Sequence, residues 1–342
     1  MPNIAQEVNV VTNKKIVPGV VDGVFKNDPL LAYLKSNGLN KISGGQIGGS
    51  MFQENFLYKP MIGGSYSPGA TFDITKRRTL EGMNFDLRHH YVNVTEYQEH
   101  LDIYNRGPEA VFSLIEADLT NAALTMSAML AIEVYNAGSG SGRTEKINGL
   151  AEALNDGTNN SWNAASYSTY GGVTRADVNS ALNSKLTAVS GSITYAQLEQ
   201  AYNDVTLGAI EPNLLVTTNR GMSYIKQKFH PQYRVTSQDP KIGFTGIQFN
   251  KAMILQSQYA PGAQGVNDAD LGNYLDSDGE TLWMLQTDYI KMYVTSSDTF
   301  GFGFSGFKWA QDSTTVAGQY FASVNIVVTA PRLMHQLHAI TG

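Results

Sequence analysis

The longest regular pattern of apolar positions lies in residues 108–137, where apolar side chains recur at three- and four-residue steps. The main positions on this face are Ile115, Leu119, Ala122, Met126 and Met129. This spacing predicts one helix about 45 Å long at 1.5 Å per residue. Pro108 suits its first turn, and Gly138 suits a left-handed cap after its end. No second pattern of this length occurs, so we expect the helix to lie across a sheet or along a subunit rather than in a bundle.

A short helix is predicted near the N-terminus, with Asp28 as its cap, Pro29 in its first position and Gly38 as its stop. The apolar residues of this helix are Leu30, Leu31 and Leu34. The residues before it are polar and β-branched. They predict an extended arm that a neighbouring molecule would order.

Between residues 41 and 106 the pattern changes to alternation interrupted by glycine. Two alternating runs, 52–59 and 85–97, are predicted to pair as a long hairpin. The inward face changes within the second run, which indicates a bulge or strong twist near residues 89–91. The tip between the runs carries Tyr66, Phe72 and the basic triplet Lys76, Arg77 and Arg78. We expect this tip to contact another chain, and a solvated basic turn is the alternative.

The chain after the Gly/Ser-rich stretch 138–142 alternates between helix and strand patterns, which predicts an α/β region around a small sheet. Helices are predicted at 178–186 behind Thr174 and Asp177, at 198–202 behind Thr194 and Gln197, and at 219–229 behind Asn219. Strands are predicted at 214–218, 249–256 and 281–286. Alternation in 290–294 and 324–328 predicts a half-buried antiparallel pair that folds back onto the long helix.

Composition limits the classes of function. The chain has 342 residues, of which 42% are apolar and 16% are charged, and this is enough for real cores. A net charge of −6 argues against a dedicated nucleic-acid binder. The absence of cysteine excludes disulfides and thiolate metal sites. No signal-peptide pattern and no membrane-spanning apolar run are found, so we expect no membrane partner.

Three patterns were tested for chemistry. The glycine run 301–306 has the spacing of a dinucleotide fingerprint, but no helix pattern follows it. Asp276, Asp278 and Glu280 resemble part of a calcium loop whose first and last ligands are missing. A polar surface loop is therefore favoured. The alternative is adventitious cation binding by Asp268, Asp270, Asp276 and Asp278. None of the six histidines has zinc-site spacing. The sequence therefore predicts no catalytic residue, cofactor or metal site, and its only candidate functional residues are Lys76, Arg77 and Arg78.

The order of these elements resembles the major capsid protein of tailed bacteriophages, which has the Hong Kong 97-type fold. The segments that most resemble this family are 147–150, 170–175, 212–217, 243–247 and 285–291. The resemblance implies an α+β fold. Its parts would be an N-terminal arm (1–40), an extended β-hairpin loop (41–100), a peripheral domain carrying the spine helix (101–146 and 287–334), an α/β axial domain (147–286) and a C-terminal tail (335–342).

The resemblance also implies a function. Such a chain is not an enzyme but self-assembles as hexamers and pentamers into an icosahedral head shell around double-stranded DNA, which it does not read by sequence. A portal, decoration proteins and a separate scaffolding protein would be its partners, because no long scaffolding segment precedes the arm. It would lie in the virion head, and in the host cytoplasm during assembly. An encapsulin-type shell, a phage tail protein and a soluble α/β enzyme are the alternatives.

Overall fold

The computed structural model describes most of the chain. The described ranges are 28–42, 51–97, 108–138, 146–229, 237–238, 245–263, 267–268, 272–273, 279–297, 301–309 and 314–342, and the side chains of the long helix are described from residue 118. Helices and strands are mixed along the chain, and most strands belong to two sheets of six and seven strands. Within these ranges no helix is both long enough and apolar enough to cross a lipid bilayer.

Five α-helices lie in the described ranges. They are α1 (Pro29–Ser36), α2 (Pro108–Val134), α3 (Leu150–Ala153), α4 (Tyr195–Val205) and α5 (Asn219–Phe229). Short 3-10 turns occur at Arg175–Val178, Thr287–Tyr289 and Pro331–Leu333. The predicted cap of α1 is confirmed, since the Asp28 carboxylate accepts hydrogen bonds from the backbone nitrogens of Leu30 and Leu31 at 3.0 and 3.2 Å.

Helix α2 confirms the predicted long helix but ends at Val134, three residues early. Its buried side chains include Leu119, Ala122, Met126 and Leu130, which pack in the core with residues of both sheets. Gly138 does not have the left-handed conformation expected of a cap. A Cβ atom there would instead lie 2.9 Å from the carbonyl oxygen of Ile147, so the glycine permits close backbone packing.

Nineteen strands lie in the described ranges. They are β1 (Asn40–Ile42), β2 (Met51–Leu57), β3 (Leu80–Asp86), β4 (Arg88–Tyr97), β5 (Thr169–Tyr170), β6 (Val173–Thr174), β7 (Lys185–Gly191), β8 (Leu214–Thr217), β9 (Ser237–Gln238), β10 (Thr245–Phe249), β11 (Ala252–Gln256), β12 (Asn267–Asp268), β13 (Gly272–Asn273), β14 (Glu280–Leu285), β15 (Ile290–Thr295), β16 (Gly301–Phe304), β17 (Lys308–Trp309), β18 (Thr315–Val328) and β19 (His335–Ile340). Short strands such as β5 and β6 pair only with each other.

The six-stranded sheet is built on β18, the longest strand. Its order is β1-β15-β18-β16, and β4 and β17 also pair with β18. Strands β15 and β18 form the predicted antiparallel pair, with Ile290 opposite Val328. The prediction that the pair is half-buried is wrong for β18, because Asn325 and Val327 on its second face are buried as well. Helix α2 packs against β4 and β18, as the sheet-crossing prediction requires.

The predicted hairpin is only partly confirmed. Strand β2 pairs with β3 over its full length, from Met51 opposite Asp86 to Leu57 opposite Leu80. Strand β4, expected as the continuation of the second hairpin strand, pairs instead with β18. The change of strand partner falls at Leu87, ahead of the predicted bulge at residues 89–91. The reversed burial pattern in this run therefore marks a passage between sheets.

The seven-stranded sheet has the order β7-β19-β14-β8-β11-β10-β9. One face is covered by α4 and α5, whose Leu198 and Ile225 pack with Leu215 and Leu282. The opposite face, with Trp283, joins the large core that contains α2. Every residue of β14 is buried. The sheet is therefore a central layer, covered on both sides.

Three further predictions for this region meet different outcomes. The capping box of α4 is confirmed, since Thr194 and Gln197 exchange hydrogen bonds. The helix at 178–186 is wrong, because the chain turns there through left-handed Asn179 and enters β7. The strand at 249–256 is interrupted by a turn at left-handed Asn250.

Residues 335–340 belong to the segment expected as a C-terminal tail (335–342). They form β19, which lies between β7 and β14 with five of its six residues buried. Sequence alternation gives no indication of this burial, because β19 carries polar side chains such as His335 and Gln336 on buried positions. Both find partners: His335 bonds Thr187 at 3.0 Å, and the Gln336 side chain accepts from Ser161 at 2.9 Å.

Candidate functional site

The candidate site is the hairpin formed by β2, β3 and the connection 58–79. Its two strands pair with each other and form a separate two-stranded sheet. Seven of the thirteen exposed large apolar side chains in the described ranges belong to it: Met51, Leu57, Met61, Tyr66, Phe72, Ile74 and Leu80. Ile74 is 94% exposed. A cluster of large apolar side chains in water is typical of a surface that another molecule covers.

The connection has local order despite its exposure. Asp73 accepts a hydrogen bond from the Thr75 backbone at 2.9 Å, and the Tyr66 and Phe72 rings lie edge to face with centroids 5.0 Å apart. Hydrogen bonds from Thr75, helped by the positive charge of Arg77, lower the pKa of Asp73 below its ordinary value. The carboxylate and the basic triplet therefore belong to one polar turn among apolar side chains.

Lys76, Arg77 and Arg78 lie together on this connection and are exposed in the subunit. Arg78 also makes a contact that the sequence does not predict: its Nη2 atom lies 2.6 Å from Glu81 Oε1, although the Arg78 side chain is 72% exposed. An exposed pair of this kind contributes about 0–1 kcal/mol. The contact of the triplet with another chain stays a prediction.

The base of the hairpin is fixed to the six-stranded sheet by one carboxylate. Glu54 accepts hydrogen bonds from the Tyr293 hydroxyl and from the Lys291 ammonium, whose nitrogen lies 3.1 Å from Oε1. Beside it, the rings of Phe52 and Tyr293 lie 4.5 Å apart. Sequence reasoning missed Glu54, although it shares the inner face of β2 with Phe52 and Phe56. A carboxylate on the apolar face of a strand indicates a buried polar partner, and this was the sequence feature that could have identified Glu54.

Strand β3 is fixed to the turn between β5 and β6. The Asn84 backbone nitrogen donates to the Gly171 carbonyl at 2.8 Å, and the Phe85 and Tyr170 rings lie 5.3 Å apart. Gly171 has φ +56°, and a Cβ atom there would lie 2.7 Å from Met83 Cβ. Only glycine fits this turn. Both strands are thus held at one end, while the connection between them is exposed.

A buried carboxylate joins three parts of the molecule at α1. Asp28 caps α1, accepts from the Ser257 hydroxyl after β11, and lies 3.4 Å from the Tyr135 hydroxyl after α2. Complete burial raises the pKa of Asp28 to about 6, against the opposing effect of these hydrogen bonds. Burial also raises the pKa of Tyr135. The sequence identified Asp28 as a cap but not this junction.

Arg175 is buried and binds backbone oxygens instead of a carboxylate. It donates to the carbonyls of Tyr167 at 2.9 Å and Glu152 at 2.5 Å, and also to that of Leu182. Its guanidinium lies 5.4 Å from the Tyr170 ring centroid. Burial lowers the pKa of Arg175 to about 10. Its contacts hold together the loops around residues 152–182, which is a structural role.

The other sequence candidates have the following positions where the structure describes them. The glycine run 301–306 begins with strand β16, and β17 follows. Asp276 and Asp278 lie outside the described residues, as does Asp270, whereas Glu280 bonds Thr218 at 2.6 Å. Two histidines bond residues of the core: His89 to Ser323 and His90 to Glu133, each at 2.7 Å. No group of three or more metal-ligating His, Cys, Asp or Glu side chains occurs in the described part of the chain.

Comparison with known proteins gives matches at the level of structure. No family model and no curated sequence matches the chain. The capsid of cyanophage A-1(L) matches with a TM-score of 0.63 and 12% identity, covering 92% of this chain and 93% of that one. An encapsulin from Synechococcus elongatus PCC 7942 matches with a TM-score of 0.57 and 10% identity, covering 90% and 87%. The capsid protein of a native GTA particle matches at 0.54 and 9%, covering 91% of each chain.

These three proteins are shell subunits, and each likeness extends over most of both chains. At such low identity the agreement concerns architecture. The mixed helix and strand architecture, with one long helix packed on a sheet and an extended hairpin, agrees with the fold expected from the sequence. The chain has the Hong Kong 97-type fold shared by phage capsid proteins and encapsulins.

Proposed function

We propose that this chain is a major capsid protein of a tailed bacteriophage, which assembles as hexamers and pentamers into an icosahedral head shell. The fold supports this proposal, and the exposed hairpin is the observation that carries it. In a subunit that functions alone, the seven large apolar side chains of this hairpin would remain in water, which is unfavourable. A neighbouring copy of the chain would remove them from water.

The geometry of the hairpin supports contact with a neighbour rather than with its own subunit. Its base is held by Glu54, Phe52 and Asn84, so the direction of the strands is set. Apart from Met51, the exposed apolar side chains and the basic triplet 76–78 lie beyond this base. In a closed shell every subunit would repeat one such contact, which adds many weak interactions together.

The division into domains belongs to the same proposal. The arm would end near α1, the extended loop would be the hairpin, and the peripheral domain would contain α2 and the six-stranded sheet. The axial domain would contain the seven-stranded sheet, including β19. The proposal also includes the chain's mode of action, its partners and its location. The chain would act as a shell subunit rather than by catalysis, and it would assemble in the host cytoplasm. Its partners would be packaged double-stranded DNA, a portal, a separate scaffolding protein and decoration proteins.

Electron microscopy of purified assemblies tests the proposal directly. We expect closed icosahedral particles with hexamers and pentamers, large enough to hold a phage genome, when the chain is expressed with its scaffolding partner. Tubes would indicate a tail protein. Small cages of fixed size that enclose protein would favour an encapsulin, the second candidate, because an encapsulin shares the fold. A monomer with saturable turnover of a small substrate would favour an enzyme.

A further inference from the structure

A small cavity lies where two parallel strands of the seven-stranded sheet end. Strands β8 and β11 run parallel, and the residues that follow their carboxyl ends, with the first residue of β14, surround about 90 Å³ of space. Besides Ala260, the lining residues are Thr218, Asn219, Arg220, Ser257, Gln258 and Glu280. The crevice beyond the carboxyl ends of parallel strands is the usual ligand position in α/β sheets.

The carboxylate of Glu280 is the least satisfied group of this cavity. Glu280 is 2% exposed, and its Oε2 atom accepts a hydrogen bond from the Thr218 hydroxyl at 2.6 Å. Its Oε1 atom is buried and has no hydrogen-bond partner among the described residues. Buried acceptors without partners are uncommon in folded proteins. A bound positive charge would satisfy this oxygen.

The surroundings favour a cation bound by oxygen atoms. Thr218, Asn219, Ser257 and Gln258 all carry side-chain oxygens, and no sulfur or imidazole lines the cavity. The Ser257 hydroxyl in turn donates to Asp28, which brings a second buried carboxylate near. Hard divalent cations prefer carboxylate, carbonyl and hydroxyl oxygens.

Two positive features oppose a cation here. The first is the N-terminus of α5, but the Thr218 hydroxyl already accepts from the Gly221 backbone nitrogen at 2.9 Å. The second is Arg220 on the rim, whose guanidinium lies over the Tyr224 ring, 5.6 Å from its centroid. Arg220 is exposed and therefore screened by water, whereas Glu280 is buried.

We propose that this cavity binds one divalent metal ion of the Ca²⁺ or Mg²⁺ class, with Glu280 as its charged ligand and Gln258 at its rim. The site is independent of the proposed shell function, because all its residues belong to one chain. With one direct carboxylate the ion binds weakly, since affinity in oxygen sites rises with the number of charged ligands. Occupation would tie β8, β11 and β14 together and stabilise the sheet.

Isothermal titration of the full-length chain with CaCl₂, and separately with MgCl₂, at constant ionic strength tests the site. We expect saturable binding of one ion per chain. Glu280→Gln keeps the size of the side chain and should weaken binding at least tenfold. Gln258→Ala changes an exposed side chain, and it should weaken binding severalfold. Glu199→Gln, which removes a carboxylate on α4 outside the cavity, should leave binding unchanged.

Arg220→Gln separates a cation from an anion. Removal of this positive charge should tighten the binding of a cation and weaken the binding of an anion at the helix N-terminus. Absence of saturable binding to the wild-type chain would overturn the proposal. The proposal would also be overturned if the single variants Gln258→Ala and Glu280→Gln both bound the metal as tightly as wild type. Weaker metal binding by Arg220→Gln would overturn it as well.

Discussion

The hairpin and strand β14 are both built of β-strands, but β14 is buried on both faces whereas the hairpin exposes many of its large apolar side chains. All six residues of β14 are buried between α4 and α5 on one side and the large core on the other. In the hairpin, Leu57 and Leu80 face each other across the strands and are 71% and 57% exposed. Strand β14 is fully buried within its own subunit, whereas the hairpin carries apolar surface that the subunit does not cover.

Under the proposed function, this difference separates residues that fold the subunit from residues that would join subunits. Burial of apolar surface contributes about 25 cal/mol per Å² wherever it occurs. For β14 this free energy is gained when the chain folds. For the exposed apolar side chains of the hairpin it would be gained only when another subunit covers them. Substitutions in the two regions should therefore change different measurements.

The largest effect is expected at Trp283, the largest of the fully buried side chains. Its ring lies 5.8 Å from that of Tyr135, and its indole nitrogen bonds Thr281. Trp283→Ala should lower the free energy of unfolding by about 3–5 kcal/mol, because it leaves a cavity. Urea unfolding of the soluble subunit measures this loss.

Trp309→Ala is the matched control for that substitution. Trp309 is 55% exposed on β17, and its truncation should change the free energy of unfolding by no more than about 0.5 kcal/mol. If both substitutions lowered the free energy of unfolding equally, the assignment of Trp283 to the buried core and of Trp309 to the surface would be wrong.

The next effect is pH-dependent and concerns two buried groups whose titrations change the stability of the fold in opposite directions. The pKa of Asp28 is about 6 in the folded chain against 3.8 ordinarily, so its protonation favours the folded state as pH falls through 6. Burial lowers the pKa of His335 to about 4 from 6.5, so stability is lost as pH falls from 6.5 towards 4. Each effect reaches about 3 kcal/mol and they oppose each other.

Single substitutions should reveal these two effects. Between pH 7 and pH 4, Asp28→Asn should lose about 3 kcal/mol relative to wild type, and His335→Gln should gain about as much. Urea unfolding at both pH values measures the differences. Parallel pH profiles for all three proteins would contradict the prediction.

The sequence predicts local features of the fold well, because these depend on neighbouring residues. The cap at Asp28, the capping box at Thr194 and the long helix α2 all follow from side-chain type and spacing. Partners of strands depend on residues far apart in sequence. Alternation in 85–97 and in β19 shows neither that β4 pairs with β18 nor that β19 lies inside the central sheet.

The candidate site shows the same limit. The sequence places Lys76, Arg77 and Arg78 in one connection between two strands, and the structure describes them there as exposed. The fixation of the base by Glu54 and the cavity beside Glu280 do not follow from the sequence. Each requires side chains from strands separated by more than sixty residues, and a lone acid in a strand pattern does not identify its partner.

A smaller effect is expected in the protection of backbone amides. In the isolated subunit, the amides of β2 and β3 should exchange quickly, because two strands alone are marginal in water. The amides of β8 and β14 should be strongly protected in the same sample. Hydrogen exchange of subunit and particle tests this, and assembly should slow exchange in the hairpin. Strong and equal hairpin protection in both states would place its contacts within the subunit.

The smallest effect per contact is expected at Arg77 and Arg78, the exposed charges of the hairpin. An exposed ion pair contributes about 0–1 kcal/mol, and Arg78 already contacts Glu81 in its own chain. Repetition of one contact around a closed shell multiplies a small loss, and charge reversal adds repulsion. Arg77→Glu with Arg78→Glu should therefore give subunits of nearly wild-type stability that fail to form closed particles, most severely at low salt.

Lys251→Glu is the control for this double substitution, because Lys251 is also 72% exposed and also pairs with a glutamate, Glu211. It should leave the yield of particles unchanged. Sedimentation and microscopy across a salt series measure that yield. Normal particles from the double variant would assign the triplet to a solvated turn, whereas an assembly defect that disappears at high salt would assign it to an acidic surface of the next subunit. The apolar side chains around it, Ile74 above all, would then supply the part of the contact that salt does not weaken.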